Sequence, residues 1–195
     1  MKTQAGILSL LFCLGPFLGM TACAYRLGSG PRSLPGGYTQ VSVPVFKNKT
    51  QETGIEVGFT KALLSEFLRS NAGQVVDEPK AEVRVEGEIV AVTYRPESPV
   101  TPDTSAGRYL PRGTVLASRY RILTDVKLRL VRRSDGDVIW QGDFRGERTY
   151  AAPQVHMAGV NSVNPLYNLS ARRQNLEVLA QEMMLEAHSR MTENF

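Results

Sequence analysis

Few side chains in this 195-residue sequence have the types and spacing that catalysis requires. The two histidines are His156, in a Gln-Val-His-Met stretch, and His188, on the polar side of a predicted helix. No Gly-x-Ser-x-Gly elbow or phosphate-binding glycine loop accompanies them. Glu86 and Glu88 share one side of a predicted strand, where Arg or Lys on the neighbouring strand would pair with them. The sequence therefore predicts neither an enzyme nor a bound metal or cofactor.

A row of basic side chains is the stronger candidate for a binding site. Alternation over residues 118–132 predicts a strand with most of these side chains on its outward face. Guanidinium groups bind phosphate and carboxylate bidentately, so the row suits an anionic headgroup. A charged face that only keeps the protein soluble is the alternative, and a net charge of +4 is too small to indicate nucleic-acid binding. The predicted site residues are Arg112, Arg119, Arg121, Lys127 and Arg129.

The first 22 residues have the pattern of a secretory signal, with a charged start, an apolar run and a small residue, Ala22. Cys23 follows at once, and Met20-Thr21-Ala22-Cys23 resembles a lipobox, in which the cysteine thiol takes the lipid. Ala24, rather than Asp, matches the rule for delivery to the outer membrane. Residues 1–22 are therefore predicted to be a lipoprotein signal peptide, and Cys23 a lipidated anchor on the periplasmic side of the outer membrane. An ordinary secreted protein with a free Cys23 thiol is the alternative.

The elements beyond the anchor predict one domain. Gly and Pro dominate the stretch before Tyr38, so residues 23–37 are expected to be a flexible tether and 38–195 the domain. Strands are predicted over 38–46, 81–94, 118–132 and 138–150, with a hairpin turn at 134–137, and helices over 53–70 and 164–191.

These elements predict an α+β two-layer sandwich in the order β-α-β-β-β-α, with a four-stranded sheet covered on one face by two helices. The first strand places Val41, Val43 and Val45 on one face. Thr53 or Thr50 is expected to cap the first helix. Four prolines predict an irregular connection from Arg95 to Leu116 that is functional or mobile.

Several segments together resemble the LptE family of lipopolysaccharide-assembly lipoproteins. They are Cys-Ala-Tyr-Arg-Leu at 23–27, Val-Ser-Val-Pro-Val-Phe-Lys-Asn-Lys-Thr at 41–50, and Gly-Ile-Glu at 54–56. The order of elements, with Tyr120 and the Trp140 strand, extends the resemblance over most of the chain after the signal. One departure is Ala24, where the family usually has Gly.

The resemblance implies a function that composition and spacing do not show. Members are anchored in the inner leaflet of the outer membrane and sit inside the LptD β-barrel, which they help to assemble and which they plug. They also bind lipopolysaccharide during its delivery to the outer leaflet. The alternative is an outer-membrane lipoprotein accessory to another machine, a secretin pilotin or a peptidoglycan-synthase activator, since a Val-Pro-Val-Phe strand followed by a helix occurs there too. A periplasmic enzyme with an unfamiliar site is a third possibility.

Overall fold

Six strands and two helices make up the part of the chain described by the computed structural model, residues 32–101, 112, 116–151 and 165–193. The strands are β1 (Gln40–Ser42), β2 (Lys47–Asn48), β3 (Gln74–Val75), β4 (Val83–Val100), β5 (Leu116–Arg132) and β6 (Val138–Ala151). The helices are α1 (Ile55–Ser70) and α2 (Pro165–Thr192), and short 3-10 turns cover Pro35–Gly37 and Glu78–Lys80.

The strands form one mixed sheet in the order β3-β1-β4-β5-β6, with β2 joining β4 on the same edge as β1. β1 runs parallel to β3 and β4, and β2 runs parallel to β4. β4, β5 and β6 are antiparallel neighbours. The two-layer α+β sandwich with two helices is therefore confirmed, whereas the prediction of four strands is wrong.

Pro44 divides the predicted first strand. Proline has no N–H for the ladder, and the Phe46 N–H instead donates to the Thr60 hydroxyl of α1 over 3.0 Å. Residues 43–46 therefore leave the sheet, and Val45 is 64% exposed although Val41 is fully buried. The further strand, β3, has only two residues, too few for an alternating pattern to reveal it.

Helix α1 ends as predicted but begins differently. Asn71 has a φ of 53°, and its N–H donates to the Phe67 carbonyl, which closes the helix. A threonine cap is wrong, because the residue before the first turn is Gly54, with a φ of 87° and no capping side chain. The Glu56 carboxylate instead reaches back to the Gly54 N–H at 3.1 Å.

The antiparallel strands β4 and β5 extend well into the connection that was predicted to be irregular from Arg95. Arg95 lies opposite Arg121, and Pro99 lies opposite Ala117. Prolines are tolerated here because, among the described residues, no strand pairs with the other edge of β4 beyond Ile89. The irregular connection is therefore shorter than predicted; residues 102–111 and 113–115 lie outside the described part.

Two register shifts decide which side chains face the helices. The first lies between Ile89 and Ala91, so that Ala91, two positions after the buried Ile89, lies opposite Asp125 on the outward side and not on the side of the helices. The second lies between Leu130 and Val131, and it places Val138 on the outward face, where it is exposed. The tight turn before β6 is confirmed by Gly136, which has a φ of 79°.

The core lies between the inner face of the sheet and the two helices. Its largest side chains come from both layers: Phe59, Leu63, Phe67, Ile89, Ile122, Leu128, Leu130, Leu179 and Met184. Glycines allow close contact with the sheet, since a Cβ on Gly87 would lie 2.5 Å from the Phe46 ring. A Cβ on Gly146 would collide with Met183 in the same way.

The N-terminal segment enters the fold where both helices end. Leu34, from the segment predicted to be a tether, is 1% exposed and lies beside Gly73, just after α1. Arg132, at the end of β5, donates from Nε to the Tyr38 hydroxyl over 2.8 Å, which places the start of β4 at this end too. The far ends of β4 and β5 therefore point away from it. Within the described chain, the buried hydrophobic core lies entirely between Leu34 and Met191.

Candidate functional site: the charged outer face of the sheet

The outward faces of β4, β5 and β6, here called the outer face, carry opposite charges in cross-strand pairs. The register sets Glu86 against Arg129 and Glu88 against Lys127, as expected from the sequence. Asp125 lies opposite Arg145, whose Nε is 2.7 Å from the carboxylate. Carboxylates of the neighbouring strands therefore compensate the basic side chains of β5.

Arg121 lies between two carboxylates. Its guanidinium is 2.6 Å from Glu97 of β4 and 3.4 Å from Glu147 of β6. Because both acids compete with any incoming phosphate, an anionic ligand gains less from Arg121 than from an unpaired cation.

Arg129 is paired as well. Its guanidinium lies 2.8 Å from Glu86, whose other oxygen accepts from Arg84 at 2.6 Å. Arg84 also lies 3.3 Å from Glu78, so that two carboxylates pair with two guanidinium groups here. Since Arg129 is exposed, its remaining N–H donors face solvent.

Lys127 borders a depression of about 520 Å³ in the outer face. Lys47 of β2, Glu88 of β4 and Asp143 of β6 line it as well. A hydrogen bond from Lys49 at 2.8 Å, with the nearby charges of Lys47 and Lys127, lowers the pKa of Glu88. Three lysines therefore surround one ionised carboxylate, which makes this the more basic part of the outer face.

The five predicted residues do not converge on one pocket. Lys127 and Arg129 line the same depression. Arg119 lies about 33 Å from Arg129, at roughly 3.3 Å per residue along the strand. Arg119 is exposed and, among the described residues, takes part in no ion pair. Arg112 is exposed in a turn between stretches that are not described.

Two further predicted residues fall outside the described part of the chain: Cys23, the predicted lipidation site, and His156. His188 is described, and its prediction as a surface residue is wrong, because the side chain is completely buried. Its Nε2 lies 2.8 Å from the Ser70 hydroxyl, and its ring meets Phe67 edge-on at a centroid distance of 4.8 Å. Burial lowers its pKa from 6.5 to about 4. His188 is therefore a neutral part of the contact between α1 and α2.

The residues that the sequence did not assign to this face are Lys47, Lys49, Glu97 and Glu147. Lys47 and Lys49 follow directly after the predicted first strand, 38–46, and nothing local indicates which face they join. Only the parallel pairing of Lys47 with Glu88 brings them onto the outer face.

Among the described residues, no group of three or more His, Cys, Asp or Glu side chains could hold a metal ion. What the outer face offers is a set of ion pairs, in which a charged ligand or surface can replace one of the partners.

The fold and this face define a class of protein, a small α+β sandwich with one helix-covered face and one charged face. A family model described as LptE, Lipopolysaccharide-assembly, matches residues 38–193. The chain belongs to the LptE family, whose members are outer-membrane lipoproteins of lipopolysaccharide assembly and not enzymes. Within the part of the chain that the structure describes, neither helix has the length and apolarity needed to cross a bilayer.

No protein of the curated collection matches the chain. Among solved structures, a minor lipoprotein from Acinetobacter baumannii is 14% identical, with 78% of this chain and 92% of that chain covered and a TM-score of 0.41. Lipoprotein GNA1162 from Neisseria meningitidis is 8% identical, with 70% and 97% covered and a TM-score of 0.42. A PelC dodecamer from Paraburkholderia phytofirmans is 14% identical, with 86% and 96% covered and a TM-score of 0.46. At these values the likenesses carry no argument about function.

Proposed function

We propose that this protein is an outer-membrane lipoprotein that assists assembly of the LptD β-barrel and plugs it, and that it binds lipopolysaccharide during delivery to the outer leaflet. The observation that carries the proposal is the family match over residues 38–193. The outer face supports it physically, because the lumen of a membrane β-barrel is polar and a guest inside it must present charged side chains. The balanced ion pairs of β4, β5 and β6 meet that demand.

A pull-down from native membranes in mild detergent tests the barrel partnership. We expect the tagged protein to bring down LptD in a stoichiometric complex. Recovery of a secretin or a peptidoglycan synthase in place of LptD would contradict the proposal and support the accessory-lipoprotein alternative.

The lipopolysaccharide proposal concerns Arg112, Arg119, Arg121, Lys127 and Arg129. Arg119 and Lys127 are the most available of the residues on β5, since among the described residues neither takes part in an ion pair within 4 Å. Phosphates of the glycolipid would bind there first, whereas binding at Arg121 or Arg129 requires exchange with Glu97 or Glu86.

Charge reversal at the two available cations tests this assignment. We expect Arg119→Glu/Lys127→Glu to weaken lipopolysaccharide binding at least tenfold at low salt, and the difference to shrink as salt screens the charges. Arg84→Glu/Arg145→Glu is the matched control, because both residues lie on the same face but outside the proposed set, and the net charge changes by the same amount. Equal loss in both variants would mean that the net charge of the face matters and the proposed residues do not.

The anchor is proposed to be Cys23, after removal of residues 1–22. Intact-mass measurement of the protein from native membranes should show a chain that begins at Cys23 and carries acyl chains. A chain that is cut at another position and carries no acyl chains would refute the proposed anchor, but it would leave the proposed partnership with LptD unaffected.

A further inference from the structure

The solvent side of α1 carries an apolar stripe that the charged outer face does not explain. We define the α1 stripe as Val57, Lys61, Leu64 and Leu68, which are four, three and four positions apart and so lie on one side of the helix. Val57 is 59% exposed and Leu68 is 70% exposed. Lys61 is exposed between them, and Leu64 is half-buried. Exposed apolar side chains aligned in this way indicate a contact surface.

The acids of α1 do not face solvent beside the stripe. The Glu56 carboxylate accepts from the Asn48 side chain at 2.8 Å and from the Gly54 N–H. Glu66 is paired with Arg69, and its side chain is only 16% exposed. Every residue of α1 is described, and its exposed side chains are Val57, Lys61, Ser65, Leu68 and Arg69, none of which is a carboxylate.

A neighbouring loop adds to the apolar surface. The Phe46 N–H donates to the Thr60 hydroxyl, and Thr60 lies three residues after Val57 on the adjacent side of the helix. This bond holds Val45 next to α1 with its side chain largely exposed. The apolar surface therefore spans one helix and the loop fastened to it.

The C-terminal end of the stripe lies where the N-terminal segment enters. Arg32 and Arg69 are both close enough to His188 for their charges to oppose its protonation, which places Arg32 at the end of α1. Cys23 precedes Arg32 by nine residues, which span at most about 32 Å. This step rests on the proposed lipid anchor, which would keep the basic end of α1 within that distance of the bilayer.

We propose that the α1 stripe docks on an anionic lipid surface, with Val57, Leu64 and Leu68 at the headgroup boundary and Lys61 against lipid phosphates. A basic amphipathic helix face binds a membrane in two ways: its apolar side chains are buried at the headgroup boundary, and its cations are attracted to anionic headgroups. A protein partner would have to present a carboxylate opposite Lys61, whereas the bilayer to which the proposed anchor ties the chain already presents phosphates. Before the LptD barrel encloses it, the anchored protein thus lies on the membrane through α1, with the charged outer face of the sheet left free.

Vesicle sedimentation of the chain from Ala24 onward, which contains the entire described core and lacks the lipid, tests the docking. The probes are phosphatidylethanolamine vesicles with about one-third phosphatidylglycerol and, for comparison, phosphatidylcholine vesicles. We expect binding to the anionic vesicles that weakens with salt. Val57→Ser/Leu68→Ser should lower the partition coefficient at least tenfold, since each buried apolar side chain contributes about a factor of ten. Lys61→Glu should remove the preference for anionic vesicles.

Leu185→Ser/Val138→Ser is the matched control, because both side chains are exposed and apolar but lie outside the stripe. Circular dichroism and the Tm check that every variant folds. Sedimentation of the stripe variant equal to that of the wild type would overturn the proposal, and so would a wild type that binds no vesicles. Sedimentation velocity tests whether a second copy of the chain docks on the stripe instead. A wild-type dimer that dissociates in the stripe variant would show that the stripe is a protein interface. None of these results depends on LptD or on lipidation.

Discussion

Acidification should loosen the contact between α1 and α2 through His188. The side chain is completely buried, with Nε2 hydrogen-bonded to Ser70 and Nδ1 without a partner. Burial is the main reason for its low pKa; the charges of Arg32 and Arg69 act in the same direction, and Glu66 acts against them. Protonation therefore places a cation where neither solvent nor a close carboxylate stabilises it.

The sign and size of the effect follow from the two pKa values. Between its ordinary pKa of 6.5 and the folded value of about 4, the unfolded state binds more protons than the folded state. Stability therefore falls as the pH drops through this window, and His188 has no such effect above pH 6.5. The full loss is about 3.4 kcal/mol below pH 4, of which about 2 kcal/mol has been reached at pH 5.

Urea unfolding at pH 7.5, 6 and 5 measures this loss in wild type and in His188→Gln. The variant keeps a polar side chain near Ser70 but has no group that titrates, and it retains all the carboxylates. The difference between the two proteins therefore isolates His188. We expect the wild type to lose about 2 kcal/mol more than the variant between pH 7.5 and 5.

Equal pH slopes in the two proteins would refute the reasoning, since they would mean that His188 titrates near 6.5 in the folded state. A steeper slope in the variant would refute it as well.

Three substitutions test the packing. Gly87→Ala should cost about 1–3 kcal/mol in urea unfolding, because its Cβ would lie 2.5 Å from the Phe46 ring. Gly58→Ala, the matched control, has nothing within 4 Å of its Cβ and should stabilise α1 by about 0.5–1 kcal/mol. Thr60→Val should cost about 1–3 kcal/mol, because it leaves the Phe46 N–H buried without an acceptor. Equal effects of the two glycine substitutions, or a neutral Thr60→Val, would contradict this packing.

Local patterns predicted the long elements well. Alternation along β5 predicted the buried side chains of Ile122, Val126 and Leu128, because the side-chain period of a strand is two wherever its register is unbroken. The end of α1 at Asn71 followed from a residue that tolerates a left-handed conformation. Both signals depend only on neighbours in sequence.

Burial at helix contacts was not predictable in the same way. His188 is polar and occurs between polar residues, so the helical pattern placed it outside. Its burial depends on Phe67 and Ser70, which are more than 100 positions away in the chain. The break of the first strand at Pro44 likewise depends on Thr60, which takes the N–H that the sheet does not use.

The sequence by itself determined a candidate lipid anchor at Cys23, a two-layer α+β domain and a row of basic side chains along β5, because composition and periodicity along one strand or helix are local properties. Only the tertiary structure decided how those charges are compensated. Glu97 and Glu147 form ion pairs with Arg121 because of the antiparallel registers, which include a bulge. Three lysines lie near Glu88, since the parallel pairing of β2 brings two of them to this strand. The electrostatic energy of two charges depends on their separation in space. Strand register decides which residues, far apart in the sequence, become neighbours in the sheet.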